Sequence, residues 1–144
     1  ESNISGDMFN VIRMALQIQR MIDNKPFADA YKPIESLSIV PHQALEWATI
    51  NGAQMMGMEN KIGSLSVGKQ ADIILIRTDD LNIRPVNDPV NAIVFYANAS
   101  NVDTVYIAGE LKKKNGKLIY KNLSKIMKQL ENSGEKILAN TNPA

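Results

Sequence analysis

Apolar residues recur at three- and four-residue steps over residues 6–23, the spacing of one face of an α-helix. The pattern predicts an amphipathic helix with Ser5 as its N-cap and Asp7 near the positive end of the helix dipole. Pro26 follows a polar stretch, so we expect the helix to end near residue 23 and a loop to span 24–36, with a short helical turn near residues 27–30. The periodic positions are Met8, Val11, Ile12, Ala15, Ile18 and Ile22.

A second helix is predicted over residues 41–56. Pro41 suits the first helical position, where its missing N–H costs nothing. Gly52 and Ala53 lower the helix propensity in mid-helix. Small residues at such positions indicate the close approach of a neighbouring backbone. The stripe of this helix comprises Leu45, Ala48, Gly52 and Met56.

The pattern changes to short strands after Gly57. Residues 73–76 are four consecutive aliphatics, which predicts a strand buried on both faces. Asn115-Gly116 is a strong hairpin signal. The other predicted elements are helical turns at 90–96, strands at 102–107, 110–114 and 117–120, a last helix at 122–139 and a frayed tail at 140–144.

These elements predict an α+β fold in three parts. Residues 1–57 are helical, residues 58–121 form a small β unit, and residues 122–144 supply a C-terminal helix and tail. The strand at 73–76 needs cover on two faces, and few strands are available to form a complete sheet with it.

Composition narrows the chemistry. The chain has 144 residues with 16 basic and 15 acidic side chains, so its net charge of +1 argues against a general nucleic-acid binder. It has no cysteine and one histidine, which removes disulfides, thiolate nucleophiles and most zinc sites. No apolar run is long enough to cross a membrane. Because the chain opens with Glu1, we expect it to be a piece of a longer protein.

Few residues offer catalytic chemistry. His42 and Glu46 are four apart on a helix and could share a metal, but such a pair is more often an ordinary side-chain contact and lacks a third ligand. Asp72 opens the buried strand, so we expect a structural carboxylate that accepts hydrogen bonds from the glycine turns at 63–70. Lys69 lacks the spacing of a phosphate-binding loop. The lysines at 112–114 suit a solvated edge strand. The residues alone form no complete catalytic constellation.

Four segments resemble the amidohydrolase superfamily, in its cytosine deaminase-like and chlorohydrolase branch. Residues 62–73, IGSLSVGKQADI, are similar to its glycine-rich signature, and residues 46–53 to the helix before it. Residues 102–118 are similar to its closing hairpin. The start of the chain, with Arg13 and Gln19-Arg20, is similar to the helix after the last barrel strand. The order of the four segments also agrees with that family.

The resemblance implies the C-terminal end of a metal-dependent (β/α)₈ barrel together with part of a composite β-sandwich. It implies a parent hydrolase that uses a divalent metal, zinc or iron, to deaminate an aminated nitrogen heterocycle. The metal ligands would lie before Glu1, so we expect no catalytic or metal-binding residue and no cofactor in this chain, which alone would be inactive. Ser2, Asn3 and Ser5 would edge the substrate pocket, whereas the structural residues of the sandwich would be Gly63, Gly68, Asp72, Gly109 and Gly116.

The expected partners are the N-terminal remainder of the same polypeptide, a small heterocyclic substrate and, through exposed edges, a second copy of the chain. No nucleic acid and no membrane are expected, and the predicted location is the cytoplasm. The alternative is a stand-alone β-rich binding or assembly module without catalysis. An upstream sequence with an HxH pair and two further histidines would favour the enzyme. A basic-ended anion binder is a third alternative, and it predicts salt-sensitive binding to nucleic acid.

Overall fold

The computed structural model describes residues 6–141, which form helices and one antiparallel sheet. The helices are α1 (Met8–Asp29), α2 (Pro41–Trp47), α3 (Ile50–Met55), α4 (Pro89–Asn91) and α5 (Leu123–Thr141). A π-helical turn (Ala92–Tyr96) and a 3₁₀ turn (Ala99–Asn101) follow α4. The strands are β1 (Ile73–Ile76), β2 (Val102–Ile107), β3 (Glu110–Lys114) and β4 (Lys117–Leu118).

Helix α1 is longer than the sequence predicts. It continues past Pro26 to Asp29, so the helix end predicted near residue 23 is wrong, and the turn predicted near residues 27–30 is the last turn of α1. Lys25 forms an ion pair of 2.9 Å with Asp29 one turn later, which supports the extra turn. The N-cap is Asp7, whose carboxylate accepts a hydrogen bond of 3.0 Å from the Phe9 amide. Ser5, the predicted cap, lies outside the described residues.

The single helix predicted over 41–56 is two helices. α2 ends at Trp47 and α3 begins at Ile50, with Thr49 between them at φ −129° and ψ −99°. The Thr49 hydroxyl donates to the Leu45 carbonyl at 2.8 Å, a local side-chain bond that competes with the regular helical pattern. The apolar periodicity runs through this break, so periodicity alone does not reveal it.

The main core lies where α1, α2 and the π-helical turn meet. Leu16, Ala44 and Val94 have no exposed surface, and Ile12 completes the cluster. A second cluster of Ile83, Ala92 and Ala97 lies beneath the loop that follows β1. On α1 the predicted periodic face is therefore mostly open, and Ile12 is its one buried member.

The sheet has the strand order β1-β2-β3-β4, and every described pair is antiparallel. The predicted strands at 73–76, 102–107 and 110–114 are confirmed, while the strand predicted at 117–120 is only Lys117–Leu118. β1 is an edge strand with Ile74 and Leu75 about half exposed. The prediction that β1 is buried on both faces is therefore wrong for the described residues, because nothing in them covers the second face.

Helix α5 begins one residue later than predicted and continues to Thr141, so the predicted tail is helical at 140–141. Its apolar side chains are largely exposed, and neither core cluster includes them. Within residues 6–141, none of the helices combines the length and apolar character needed to cross a membrane.

Candidate functional site

The loop predicted to edge a substrate pocket leads directly into α1. Ser2, Asn3 and Ser5 fall outside the described residues, so their position stays a prediction. The described chain begins at Gly6, and Asp7 then fixes the start of α1 by accepting from the Phe9 amide and the Asn10 side chain, both at 3.0 Å. The described part of the chain therefore begins at a capped helix N-terminus.

Two arginines on α1 hold that helix against the rest of the molecule. The Arg13 guanidinium donates through Nε to the Val94 carbonyl at 3.0 Å and through a terminal nitrogen to the Ala97 carbonyl. These carbonyls lie at the end of the π-helical turn, where regular helical partners run out. Charged donors to such carbonyls form the stronger kind of hydrogen bond. The position of α1 is therefore fixed by paired polar contacts as well as by its buried leucine.

Arg20, seven residues later, anchors the other end of α1. Its guanidinium donates to the Ile39 carbonyl at 2.7 and 2.8 Å and lies 5.7 Å from the centre of the Phe95 ring. That distance is within the range of a cation–π contact. Both arginines belong to the segment that resembles the amidohydrolases, and the structure gives them a positioning role.

The glycine-rich segment forms the connection between α3 and the sheet. Gly63 has φ +86°, and a Cβ atom there would come within 2.7 Å of the Ala53 Cβ. The close approach predicted at Gly52 and Ala53 is therefore confirmed at Ala53, with Gly63 as the neighbour. Lys69 donates to the Ser64 hydroxyl at 2.7 Å, so its amine serves the turn itself.

Asp72 joins this segment to the β2–β3 turn. Its carboxylate accepts a hydrogen bond of 2.7 Å from the Ala108 amide, 36 residues away. The expected donors in the turns at 63–70 are not the ones found, and Asp72 is exposed and not buried. Gly109 follows Ala108 with φ +80° and Gly116 forms the hairpin with φ +74°, which are backbone shapes that favour glycine.

A polar network that sequence reasoning missed lies at the start of β2. Asn101 is 1% exposed, and its amide nitrogen donates to Asp80 at 2.7 Å and to Asn82 at 3.0 Å. Its amide oxygen accepts from the Asn82 side chain and the Asn98 amide, both at 2.9 Å. The Asp80 carboxylate also accepts from the Arg77 guanidinium at 3.3 Å, and a buried amide such as that of Asn101 needs partners of this kind. The only sequence signal is the clustering of asparagines.

The described residues contain no set of metal ligands. His42 is exposed, and its Nδ1 atom lies 3.3 Å from the Glu46 carboxylate. Across residues 6–141, no three histidine or acidic side chains converge on one point that could hold a metal ion. The pair His42–Glu46 is an ordinary contact between neighbouring turns of α2.

One carboxyl group has a displaced pKa. A hydrogen bond from Lys112, and then the positive charge of that lysine, lower the pKa of Glu110 below its ordinary value. Both residues lie on strand β3, and both side chains are exposed to solvent. The displacement therefore reflects a surface ion pair and indicates no catalytic role.

An apolar cavity of about 250 Å³ lies between α1, α2 and β1. Phe9, Ile12, Leu45 and Ile74 are among the side chains that line it. It offers space for apolar groups and carries no ionisable side chain. The described residues thus form a scaffold: α1 is capped by Asp7, two arginines bind it to neighbouring backbone carbonyls, and Gly63 packs closely on Ala53.

A comparison with known protein families identifies the family of this chain. The model of the amidohydrolase family matches residues 1–112. This chain belongs to the amidohydrolase family. The match takes in α1, the glycine-rich segment and the sheet as far as β3, which are the segments on which the resemblance rests.

Curated relatives of this amidohydrolase chain are deaminases. It is 37% identical over 109 residues to 5-methylthioadenosine/S-adenosylhomocysteine deaminase of Teredinibacter turnerae, covering 76% of this chain and 22% of that protein. It is 32% identical over 142 residues to 5'-deoxyadenosine deaminase of Methanobrevibacter smithii, covering 93% of this chain and 30% of that protein. The chain therefore spans less than a third of the length of these relatives.

Solved structures show the same fold. An adenosine deaminase from Xanthomonas campestris, solved with bound zinc, aligns with a TM-score of 0.77 and 26% identity, covering 92% of this chain and 28% of that one. Atrazine chlorohydrolase from Arthrobacter aurescens aligns with a TM-score of 0.68 and 21% identity, covering 84% of this chain and 25% of that one. The predicted fold class is confirmed: the helices and antiparallel sheet match part of the amidohydrolase barrel proteins.

Proposed function

We propose that this chain is the C-terminal part of a metal-dependent amidohydrolase that deaminates a small aminated nitrogen heterocycle. The observation that carries the proposal is the 37% identity to a deaminase that acts on adenosine derivatives. In the reaction, water adds to the ring carbon that bears the amine, the carbon–nitrogen bond breaks, and ammonia leaves.

The described residues do not fit a catalytic metal. His42 is exposed and has a single acidic neighbour, whereas a catalytic zinc needs three protein ligands. Zinc is bound in the adenosine deaminase neighbour, and the parent enzyme would hold its zinc or iron through residues outside this chain. This chain contributes scaffold and a pocket edge, and alone it is inactive.

The division of labour follows the three predicted parts. Residues 1–57 close the barrel. Residues 58–121 form half of a β-sandwich shared with the other end of the parent, and residues 122–144 form the C-terminal helix and tail. The open face of α1 supports this proposal, because Met14 and Ile18 are 60% and 45% exposed on a helix that is apolar around most of its circumference. A helix of that kind is typically covered on more than one side. That need for cover also speaks against a stand-alone binding module.

Metal content and ammonia release, measured on the full-length parent and on residues 1–144 side by side, test the proposal. We expect about one metal per parent chain and ammonia release from adenosine derivatives, with neither in the shorter chain. A stoichiometric catalytic metal in the shorter chain would contradict the proposal, and so would a full-length protein that releases no ammonia.

The pocket edge has its own test in the full-length enzyme. We expect Asn3→Ala and Ser5→Ala to raise KM for the heterocycle, because both side chains would lie at the mouth of the barrel, where substrate contacts are placed. Gln17→Ala, on the exposed polar side of α1, is the matched control and should leave KM unchanged. Equal KM values in all three variants would remove Asn3 and Ser5 from the site.

A further inference from the structure

Helix α5 has a narrow apolar stripe that no core cluster of the described residues covers. Since an α-helix turns by about 100° per residue, Leu123, Ile126, Met127 and Leu130 fall within about 120° of the helix surface. Ile126, Met127 and Leu130 are 44%, 46% and 64% exposed. A stripe of this width is typical of a helix that packs against a globular body.

An anionic lipid surface fits this helix poorly. Between Leu123 and Thr141 there are three lysines and two glutamates, so the charge is almost balanced. Lipid-bound helices gain from an excess of basic residues and from aromatic side chains at the interface. No aromatic residue occurs in α5, and Glu131 lies beside the stripe.

Pairing with a second α5 is also disfavoured. A coiled coil needs apolar a and d positions over at least three or four heptads, and α5 has 19 residues. With Leu123 and Leu130 at position a, the d position after Ile126 is Ser133, and Gly134 follows it. The seam is therefore interrupted in its middle.

The relatives indicate what covers the stripe instead. The match to the Methanobrevibacter smithii deaminase covers 93% of this chain, and that to the Xanthomonas campestris structure covers 92%. Both matches must include most or part of α5, since they omit less than a tenth of the chain. Both proteins are more than three times longer than the matched segment, so most of each chain lies outside the part that includes the α5 region.

We propose that α5 docks through Leu123, Ile126, Met127 and Leu130 onto an apolar surface of the parent polypeptide outside residues 1–144. This inference rests on the proposed function, which supplies that larger parent. α5 then acts as a clamp: it is the next element after β4 and fastens that edge of the sheet to the body of the enzyme. Gly134 and Ser133 leave room beside the stripe for a close approach.

Hydrogen exchange of the full-length parent, read by mass spectrometry on peptides from α5, tests the clamp. We expect amides on α5 to be protected about 100-fold beyond a freely exposed helix, because opening requires the whole helix to detach. The variant Ile126→Asp/Leu130→Asp should lose that protection. Gln129→Asp/Asn132→Asp adds the same charge away from the stripe and should keep it.

Three results would overturn the clamp. The first is exchange of α5 in the wild-type parent at the rate of an exposed helix. The second is protection that rises with protein concentration together with a doubled mass, which would assign the stripe to a second copy. The third is protection that appears only with phosphatidylserine vesicles. Exchange is independent of turnover, so a protected α5 in a parent that releases no ammonia refutes the proposed reaction and supports the clamp.

Discussion

The helical region and the sheet region of this chain differ in how far each completes its own core. Around α1, α2 and the π-helical turn, Leu16, Ala44 and Val94 are fully buried, and Arg13 reinforces the contact through two backbone carbonyls. In the sheet, Ile74 and Leu75 are half exposed on the edge strand.

The same contrast occurs within a single helix. Leu16 has no exposed surface, whereas Ile18, two residues later, is 45% exposed. Apolar residues on an uncovered face contribute little to the stability of the isolated chain, because the hydrophobic gain depends on area removed from water. The helical core is therefore complete within the described residues, whereas the open face of α1 and the edge strand β1 expose apolar side chains that no described residue covers.

The largest expected effect comes from Leu16→Ala. Removal of a fully buried leucine should lower the free energy of unfolding by about 2–5 kcal/mol, through lost burial and the cavity left behind. Ile18→Ala should change the stability of residues 1–144 by less than about 0.5 kcal/mol, as an exposed substitution does. Urea unfolding of the two variants measures both values.

The same pair of variants in the full-length parent sharpens the comparison. If the parent covers the open face of α1, Ile18→Ala should become a core substitution there and cost about 1–3 kcal/mol or more. An Ile18→Ala variant that is as harmless in the parent as in the shorter chain would show that the open face stays open.

An effect of similar size is expected at the glycine turn that connects the two regions. Gly63→Ala combines a left-handed backbone, at about 1–2 kcal/mol, with a clash against Ala53 that should cost about 1–3 kcal/mol more. Gly68 has φ +91° with open space around it, so Gly68→Ala meets the backbone strain alone. Equal losses in thermal unfolding for the two variants would remove the packing contribution of Gly63.

The buried network at the start of β2 should matter less. Asn101→Ala leaves Asp80 and Asn82 without a buried partner, which we expect to cost about 1–3 kcal/mol. Asn87→Ala, in the exposed loop before α4, is the matched control and should stay within about 0.5 kcal/mol. Equal urea midpoints for the two variants would show that water replaces the Asn101 contacts fully.

Local patterns in the sequence predict the strands and the hairpin at Asn115-Gly116, because alternation and turn residues act over a few positions. They fail at two helix boundaries, where single side-chain contacts one turn away decide, and at the strand whose cover lies elsewhere. The helix continues beyond Pro26, where Lys25 and Asp29 support the extra turn, and it breaks at Thr49, whose hydroxyl binds the Leu45 carbonyl. The strand at 73–76 would be buried on both faces only if a second layer packed on it, and the sequence pattern of the strand does not show whether this chain provides that layer.

The candidate site divides in the same way. The close approach at Ala53 could be predicted from the small residues at 52 and 53, and the family resemblance marks Gly63 as structural, but the sequence does not show that the two meet. The donor to Asp72 could not be predicted, because Ala108 is 36 residues away along the chain. Asn101 was missed since a buried asparagine resembles an exposed one in sequence, and its burial depends on the loop that carries Asp80 and Asn82.

The smallest expected effect lies on the exposed edge of the sheet, where Lys112 lowers the pKa of Glu110. A lowered folded-state pKa contributes stability above the unfolded pKa, and that contribution is lost as the pH falls through the folded value. Lys112→Met should return the Glu110 pKa to its ordinary value in an NMR titration, whereas Lys113→Met should leave it lowered. Because both partners are solvent-exposed, the change in unfolding stability should be small in either variant. A large loss of stability in Lys112→Met alone would show instead that this edge is covered, and would contradict the contrast between the packed helices and the open sheet.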